Sequence, residues 1–226
     1  MIKKPKYIIG IDEVGRGSLA GPVVVAAVAV TKYQVSSIKY QARKSKLPLK
    51  DSKKLSPKQR EAWFKIITKE LALPYAIASV SPKIIDKINI SQAANLAATR
   101  ALNKLLKKEK KITASISGSK IFLDGGLYLN KNSIGIDQLN RHKSVSTIIK
   151  GDEKIPAISL ASIIAKVYRD RLMKKLHKKY PRYDFINNVG YGTKKHIRAI
   201  KKRGHSPIHR KSFKIKRLID SFQKNR

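Results

Sequence analysis

The chain contains no cysteine among its 226 residues. Disulfide bridges, zinc–thiolate sites and cysteine nucleophiles are therefore excluded. Long apolar runs are also missing, since the longest, over residues 22–30, is too short to span a bilayer. The N-terminal basic residues precede only a short apolar run that Asp12 interrupts, which is not the pattern of a signal peptide. These absences predict a soluble, cytoplasmic protein with no membrane partner.

Acidic residues are scarce, with 14 Asp and Glu against 51 Lys and Arg, and the formal net charge is +37. A positive field of this strength favours a polyanionic partner, and nucleic acid fits best. A lysine-rich genome would give the same excess on solvated faces without any function, so charge alone leaves both interpretations open. In a chain with so few acids, the positions of those acids are informative.

The stretch over residues 8–26, IIGIDEVGRGSLAGPVVVA, combines two apolar runs, two adjacent acids and a Gly-Arg-Gly sequence. It predicts a strand, a glycine turn and a second strand. Successive side chains of a strand point to opposite faces, so Asp12 and Glu13 can share a ligand only if the strand ends there and the backbone bends. The glycines permit positive φ and the close approach of a ligand to the backbone.

Two further predicted strands end near an acid: residues 120–124 finish with Asp124, and residues 145–149 are followed by Asp152. Each such acid alone is more often solvated or part of a cap. Mg²⁺ prefers oxygen ligands, and two metal ions suit phosphodiester hydrolysis because they neutralise the phosphate and activate water. Together the strand-end acids therefore favour a metal site. The predicted ligands are Asp12, Glu13, Asp124 and Asp152.

The remaining pattern predicts helices with identifiable ends. Ser56 and Pro57 are typical of the start of a helix, which we expect to run to about Leu73, and Thr193 and Gly204 bound another. We predict a mixed α/β sheet with a helical C-terminal portion. The other predicted elements are a loop over 31–55, a strand over 75–80, a helix from residue 91, a long helix over 158–180 and a last amphipathic helix after residue 213.

Seven motifs follow one another along the chain: GIDEVGRGSLAGPVV, DSKKLS, IFLDG, KGD, SLASIIAKVYRDRLM, GYGTKKH and PIHRKSF. In these motifs the chain resembles bacterial ribonuclease HII, the type 2 ribonuclease H family, over about residues 7–213. The resemblance implies the ribonuclease H-like fold, an α/β fold with a mixed central β-sheet flanked by helices and a helical C-terminal region. We expect a single-domain, monomeric enzyme, with residues 1–180 as the catalytic domain and residues 181–226 as a helical extension packed on it.

The resemblance also implies an activity. The family hydrolyses the RNA strand of RNA–DNA hybrids and nicks on the 5′ side of single ribonucleotides embedded in duplex DNA, leaving 3′-hydroxyl and 5′-phosphate ends. The expected cofactor is Mg²⁺ or Mn²⁺, used in two-metal-ion catalysis, and the expected partners are these nucleic acids. The family's four-acid site falls on the four acids named above.

Substrate-binding residues follow from the same resemblance. The family's Gly-Arg-Gly motif falls on Gly15, Arg16 and Gly17 and contacts the ribonucleotide 2′-hydroxyl, the group that distinguishes RNA from DNA. The family tyrosine that stacks near the ribose falls on Tyr191. The alternative role for this side chain is a half-buried place in the core.

Basic and polar side chains supply further candidates. Lys53 and the basic segment 209–211, which contains Arg210, are expected to contact phosphates, with a solvated face as the alternative. Asp170 belongs to a family motif, but an ion pair with a basic neighbour on its own helix is the common fate of such an acid. The candidates that recur on one face of the long helix are Ser162, Lys166 and Asp170.

Two other functions compete with this interpretation. A ribonuclease HIII-like nuclease would share the fold, but that family usually carries an additional N-terminal domain and a lysine where this chain has Arg16. A basic, non-catalytic nucleic-acid-binding protein would explain the charge but not the strand-end acids. Convergence of those acids in the structure discriminates between a catalytic and a purely binding protein.

Overall fold

A computed structural model describes residues 6–49, 51–130 and 144–213 of the chain. Its strands form one sheet in the order β3-β2-β1-β4-β5. Strands β3, β2 and β1 pair antiparallel, whereas β1, β4 and β5 pair parallel, so the sheet is mixed, as predicted. The strands are β1 Tyr7–Val14, β2 Val23–Thr31, β3 Tyr75–Val80, β4 Lys120–Asp124 and β5 Val145–Ile148.

Helices flank the sheet and form the C-terminal part of the described chain, in agreement with the expected fold class. Single turns of 3₁₀ helix lie at Ser52–Lys54, Ile116–Gly118 and Pro181–Tyr183. The α-helices are α1 Lys32–Lys44, α2 Pro57–Lys65, α3 Pro82–Ile88, α4 Ile90–Lys108, α5 Lys110–Ala114, α6 Gly151–Lys154, α7 Pro156–Lys179, α8 Phe185–Asn188 and α9 Lys194–Arg203.

The two faces of the sheet are covered by the two longest helices. Ile9 and Ile11 of β1 pack in one core cluster with the apolar side of α4. The alternate residues of β1 and β2 face α7, which contributes most of the helical residues of the second cluster. At Gly10 the helix lies directly on the strand, because a Cβ there would overlap the backbone of Ala157. This contact brings α7 over the end of β1 that carries the acids.

A third cluster, the C-terminal cluster, ties the end of the described chain to the loop that follows the Gly-Arg-Gly sequence. Its apolar members pack around the rings of Tyr183 and Phe185, which stack with their centroids 5.6 Å apart. Backbone hydrogen bonds join this loop to the C-terminal segments. The Leu19 N–H donates to the Gly190 carbonyl at 2.8 Å, and the Arg210 N–H donates to the Leu19 carbonyl at 2.8 Å. The buried members are Leu19, Ala20, Met173, Tyr183, Phe185, Ile197 and Ile200.

The loop prediction for residues 31–55 is wrong over much of its length, because α1 occupies Lys32–Lys44. Thr31 and Gln34 form a capping box that starts this helix. Its apolar signal is weak, since Ile38 is its one buried residue and Val35 and Ala42 pack against the core only partly buried. The helix is stabilised by its cap and by this narrow apolar contact.

Other predicted boundaries agree more closely. The predicted capping box at Ser56 begins α2, but regular α-helix ends at Lys65 and a π-turn over Ile66–Glu70 completes the segment. Thr193 caps α9, and Gly204 ends it with a φ of +74°. The predicted last helix after residue 213 lies outside the described residues. Within the described ranges, no helix combines the length and apolarity needed to cross a membrane.

The contact between β1 and α7 gives a first prediction. Gly10→Ala should destabilise the protein by about 1–3 kcal/mol or more, because a methyl group must separate strand and helix backbones. That loss corresponds to a fall in Tm of roughly 2–4 °C per kcal/mol. Gly118→Ala is the control, since its Cβ would meet only the Lys6 side chain at 3.7 Å. Equal Tm values for the two variants would contradict the proposed close packing.

Candidate active site

The acidic cluster forms where β1 and β4 stop pairing. Their last parallel pair is Ile11 with Leu123, so the same register sets Asp12 beside Asp124 at the next position. One carboxylate oxygen from each of Asp12, Glu13 and Asp124 lies within 4.8 Å of the others. The expected strand end is only half present, because β1 continues to Val14 in its pairing with β2. Within the described residues, β1 thus stops pairing at the acids only on its β4 side.

Asp12 is the most buried of these acids, with 4% of its surface exposed. Its Oδ1 accepts a hydrogen bond of 2.7 Å from the Glu13 backbone N–H, and its carboxylate also accepts one from the Ser162 hydroxyl of α7. The Ser162 Oγ lies 2.8 Å from the Ser52 Oγ, so the DSKKLS segment is fixed against the same helix. Ser162 therefore lies at the site, as its motif suggested.

Glu13 has one carboxylate oxygen paired and one unpaired. Its Oε1 lies 3.4 Å from Arg16 Nη1, whereas its Oε2 is buried and has no hydrogen-bond partner among the described residues. A buried, unpartnered carboxylate oxygen is costly, and native structures usually satisfy such groups. The donor set is all carboxylate oxygen, which suits a hard divalent cation. The residues present thus fit a metal ion.

Asp152 stands beside this group and not within it. The turn that carries Asp152 is joined to the site because the Gly151 N–H donates to Asp124 Oδ1 at 2.8 Å. Asp152 itself interacts electrostatically with Asp51 and Asp124 but is not a member of the three-acid group. The expectation that four acids meet in one small cluster is therefore corrected to three acids with a fourth next to them.

The pKa values of Asp12, Glu13 and Asp152 are shifted upwards. Burial is the largest cause for Asp12, followed by repulsion from Glu13, and it raises the pKa well above the usual value. Burial likewise raises the pKa of Glu13, although Arg16 opposes this shift. Burial, Asp51 and Asp124 raise the pKa of Asp152 to about 6. Desolvation is thus a larger cause of these shifts than the mutual repulsion of the carboxylates.

The Gly-Arg-Gly turn lies directly beside the acids. The Arg16 guanidinium donates to the Gly126 carbonyl at 3.2 Å and to Ser91 Oγ at 3.4 Å, so it bridges the turn after β4 and the start of α4. Gly15 has a φ of +89°, and a Cβ there would overlap the Arg169 guanidinium. Gly17 is exposed, and a Cβ added to it would meet no atom within 4 Å. Its backbone is therefore open to a ligand.

Tyr191 reaches the same region from the far end of the chain. Its ring is half-buried, and the Arg169 guanidinium carbon lies 5.8 Å from the ring centroid. Tyr191 also interacts electrostatically with Lys53, which in turn interacts with Asp12 and Asp152. Tyr191 and Lys53 thus lie close enough to interact electrostatically, and Lys53 does so with two of the acids as well.

Comparisons with known proteins decide the family. The family model described as Ribonuclease HII matches residues 9–216. The chain belongs to the ribonuclease HII family. It is therefore a hydrolytic nuclease with endoribonuclease activity, and a purely nucleic-acid-binding function is no longer an adequate description.

Individual relatives agree with this assignment. Ribonuclease HII of Clostridium beijerinckii is 46% identical over 213 residues, which cover 94% of this chain and 69% of that protein. The chain thus spans about two thirds of the length of this clostridial relative. Ribonuclease HII of Chloroherpeton thalassium is 42% identical, with 94% of this chain and 92% of that protein covered.

Solved structures show the same fold. Ribonuclease H2 of Pyrococcus horikoshii has a TM-score of 0.67 and 27% identity, covering 97% of this chain and all of that chain. Bst ribonuclease HIII has a TM-score of 0.68 at 21% identity, covering 98% of this chain and 71% of its own. Because the ribonuclease HIII fold fits equally well, the fold does not separate the two families, and the sequence match does.

Among the ribonuclease HII motifs, PIHRKSF has a different role from the predicted one. Arg210 was expected to contact phosphate, but it is 1% exposed. Its guanidinium donates to the carbonyls of Gly15 and Arg16 at 2.7 Å each and to that of Gly21 at 3.0 Å. Arg210 therefore holds the Gly-Arg-Gly turn in shape from within. A basic run in a sequence does not reveal which of its members is buried.

Asp170 and Lys166 lie apart from the acidic group. Lys166 Nζ pairs with Asp170 Oδ1 at 2.8 Å, and Arg60 Nη2 lies 3.6 Å from Asp170 Oδ2. Lys166 was one of the expected ion-pair partners of Asp170, whereas the contact with Arg60 was not predicted. The geometry makes Asp170 an ion-paired helix acid and not a member of the three-acid group.

Two residues near the site were missed by sequence reasoning. Asp51 faces Asp152, and its Oδ1 accepts a 2.9 Å hydrogen bond from the Lys53 N–H. Burial opposes the charged form of Lys53, but the carboxylates of Asp51 and Asp12 outweigh it and raise the pKa of this amine. The DSKKLS motif was the available signal for Asp51. Arg169, the other omission, donates to the Pro22, Ala20 and Val189 carbonyls.

The raised pKa of Asp152 gives a prediction about stability without metal. The folded state binds a proton more readily than the unfolded state, since the pKa rises from 3.8 to about 6. The charged form therefore destabilises the fold above about pH 6, and this effect disappears as the pH falls towards 3.8. Asp152→Asn should raise the Tm measured in EDTA at neutral pH but not near pH 4.

Glu153→Gln is the matched control for this experiment. Lys54 hydrogen bonds to Glu153 and lowers its pKa, so loss of this exposed carboxylate should not raise the Tm at neutral pH. A gain for Asp152→Asn that is independent of pH would show that its charge is not the cause.

Proposed function

We propose that this chain hydrolyses the RNA strand of RNA–DNA hybrids and cuts on the 5′ side of a single ribonucleotide within duplex DNA, leaving 3′-hydroxyl and 5′-phosphate ends. The observation that carries the proposal is the convergence of Asp12, Glu13 and Asp124, each with a carboxylate oxygen within 4.8 Å of the others. Membership in a family of hydrolytic nucleases supports it. The net charge of +37 supports a nucleic-acid substrate.

Divalent cations, Mg²⁺ or Mn²⁺, would be held by the three-acid group with Asp152 beside it. When bound, they would neutralise the charge of the scissile phosphate and activate water for hydrolysis. The chain's own contribution is to hold the carboxylates in place: Ser162 fixes Asp12, and the Gly151 N–H fixes Asp124. Because burial raises the pKa of Asp12, cation binding is expected to displace protons from this group.

Recognition of the ribose is assigned to two segments that meet at the acids. The backbone at Gly17 is open, and Arg210 fixes the preceding carbonyls, so the turn can present its backbone to a 2′-hydroxyl without rearranging. Tyr191 reaches the same place from the C-terminal region, and the Lys53 amine beside it suits a phosphate oxygen. A single 2′-hydroxyl thus meets groups from both ends of the chain.

The direct test is cleavage of an end-labelled DNA duplex that contains one ribonucleotide. Wild-type protein should cut once, on the 5′ side of the ribonucleotide, with Mg²⁺ or Mn²⁺ and not with EDTA. Asp124→Asn should reduce the rate by roughly a hundredfold or more, the loss typical of one electrostatic contact in an active site. Binding of the duplex should survive or improve, because repulsion of the phosphate falls.

Asp170→Asn is the matched control, since it removes an acid that is paired with Lys166 outside the three-acid group. It should retain most of the rate. Near-normal cleavage by Asp124→Asn at saturating Mg²⁺ would exclude Asp124 as a ligand, and wild-type cleavage in EDTA would exclude the metal mechanism.

Gly17 provides a test of substrate approach that is separate from the metal. Since a Cβ at Gly17 meets no atom within 4 Å, Gly17→Ala should leave the Tm unchanged. Cleavage at a single ribonucleotide should fall roughly tenfold to a hundredfold, as expected for a small displacement of a bound substrate. A variant with the wild-type rate would show that the substrate does not approach this backbone.

A further inference from the structure

Two histidines of the C-terminal cluster lie in direct contact away from the acids. His196, in the first turn of α9, is 0% exposed, and His209 is 3% exposed. Their Nε2 atoms are 3.0 Å apart. The rings lie among Tyr183 and Phe185, with centroid distances of 4.8–6.4 Å. Neither histidine has a part in the reaction described above.

The hydrogen bonds around this pair determine which nitrogen carries each proton. The Ser206 backbone N–H can only donate, and it lies 2.9 Å from His209 Nδ1, which must therefore accept. The Ser206 hydroxyl lies 2.7 Å from the same nitrogen and is then a second donor to it. The Tyr191 carbonyl can only accept, and it lies 2.8 Å from His196 Nδ1, which must therefore donate. With both rings neutral, His209 Nε2–H then donates to His196 Nε2. All four ring nitrogens are satisfied by this single arrangement.

This series of hydrogen bonds ends at the backbone carbonyl of Tyr191. Its carbonyl accepts from His196 Nδ1–H and also from the Thr193 N–H at 2.9 Å, so both lone pairs are used. Its own N–H donates to the Asn188 carbonyl at 2.8 Å. The backbone of this residue is thereby fixed on both sides, while its ring remains half-buried next to Arg169.

We propose that His196 and His209 are positioning residues: a neutral, singly oriented pair that connects Ser206 to the Tyr191 carbonyl and holds the Tyr191 ring in place for the ribose. This inference rests on the proposed role of Tyr191 as a substrate contact. It gives the helical C-terminal region a role at a site whose three clustered acids come from the sheet.

The surroundings favour the neutral form of both rings. An added proton on His196 Nε2 would face the His209 Nε2–H. An added proton on His209 Nδ1 would face the Ser206 backbone N–H, although the Ser206 hydroxyl at the same nitrogen can rotate to accept it. Burial lowers the pKa of both rings, and that of His209 falls to about 4.

The charged groups around the pair do not reverse this preference. The neighbouring His205 adds to the lowering of both pKa values. Asp184 would favour a proton on His196, but its Oδ2 pairs with Lys195 Nζ at 2.9 Å. The pair is therefore expected to stay neutral throughout the physiological pH range.

The first part of the test needs no substrate. Long-range ¹H–¹⁵N NMR of the full chain with ¹⁵N-labelled histidine reports the tautomer of each ring at neutral pH. His209 should be the Nε2–H tautomer and His196 the Nδ1–H tautomer. An Nε2–H form of His196, or a doubly protonated ring at either position, would overturn the proposal whatever Tyr191 does.

The second part measures cleavage at a single ribonucleotide and on a continuous RNA–DNA hybrid, and compares the ratio of the two rates. His196→Phe keeps a ring but removes the bond to Tyr191, and should lower the ratio about tenfold, the size expected for one lost hydrogen bond. His196→Asn is smaller, but it keeps a donor at the Nδ1 position and should restore most of the ratio. A purely structural role predicts the reverse order, because Phe fills the space better.

Two further variants complete the test. Tyr183→Phe removes a 3.0 Å bond to the Gly204 carbonyl in the same cluster, without touching the path to Tyr191, and should leave the ratio unchanged. In a Tyr191→Ala background, His196→Phe should have no additional effect on the ratio. Additive effects, a wild-type ratio for His196→Phe, or an equal loss for Tyr183→Phe would each overturn the proposal. If Tyr191→Ala alone kept the wild-type ratio of the two rates, the assigned role of Tyr191 as a substrate contact would be wrong. The NMR measurement would still test the tautomers of the two histidines independently.

Discussion

Closely spaced carboxylates of like charge, buried at Asp12 and half-buried at Glu13 and Asp124, are the constraint around which this structure is built. Asp12, Glu13 and Asp124 are held together at the point where two parallel strands stop pairing, and desolvation raises the pKa of the first two. Without a counter-charge such a group opposes folding. The sheet tolerates it because apolar clusters pack on both faces, with α4 on one and α7 on the other. The favourable free energy of packing in these clusters thus offsets the unfavourable free energy of the carboxylate group.

Buried arginines convert separate segments of the chain into one site. Arg169 is fully buried and donates hydrogen bonds to the carbonyls of Ala20, in the loop after the Gly-Arg-Gly sequence, and of Val189, in the C-terminal region. Arg210 does the same for the Gly-Arg-Gly turn. Burial lowers the pKa of each guanidinium, that of Arg210 to about 9, yet each stays charged near neutral pH and has its donors directed at carbonyl oxygens. Both positively charged groups therefore donate their hydrogen bonds to backbone carbonyls of the protein itself.

The sequence contained most of the fold and the identity of the acids, because strand ends, glycine turns and caps have local signatures. Helix α1 was missed because its apolar stripe is narrow, with Ile38 buried and Val35 and Ala42 only partly buried among polar and basic residues. Arg210 was misassigned because burial is a tertiary property that a basic run does not encode. The separation of Asp152 from the other acids depends on how α6 leaves β5, which spacing cannot give. The tautomers of the histidine pair required interatomic distances.

The central claim is that Asp12, Glu13 and Asp124 form a site for divalent cations, and that without a cation burial raises the pKa values of Asp12, Glu13 and the neighbouring Asp152. Calorimetric titration of the metal-free chain with Mn²⁺, in two buffers of different ionisation enthalpy, tests it directly. The account predicts binding accompanied by proton release, and more release near pH 6 than at pH 8, because burial raises the pKa values of Asp12, Glu13 and Asp152. Absence of binding at millimolar Mn²⁺, or binding with no proton release at either pH, would contradict it.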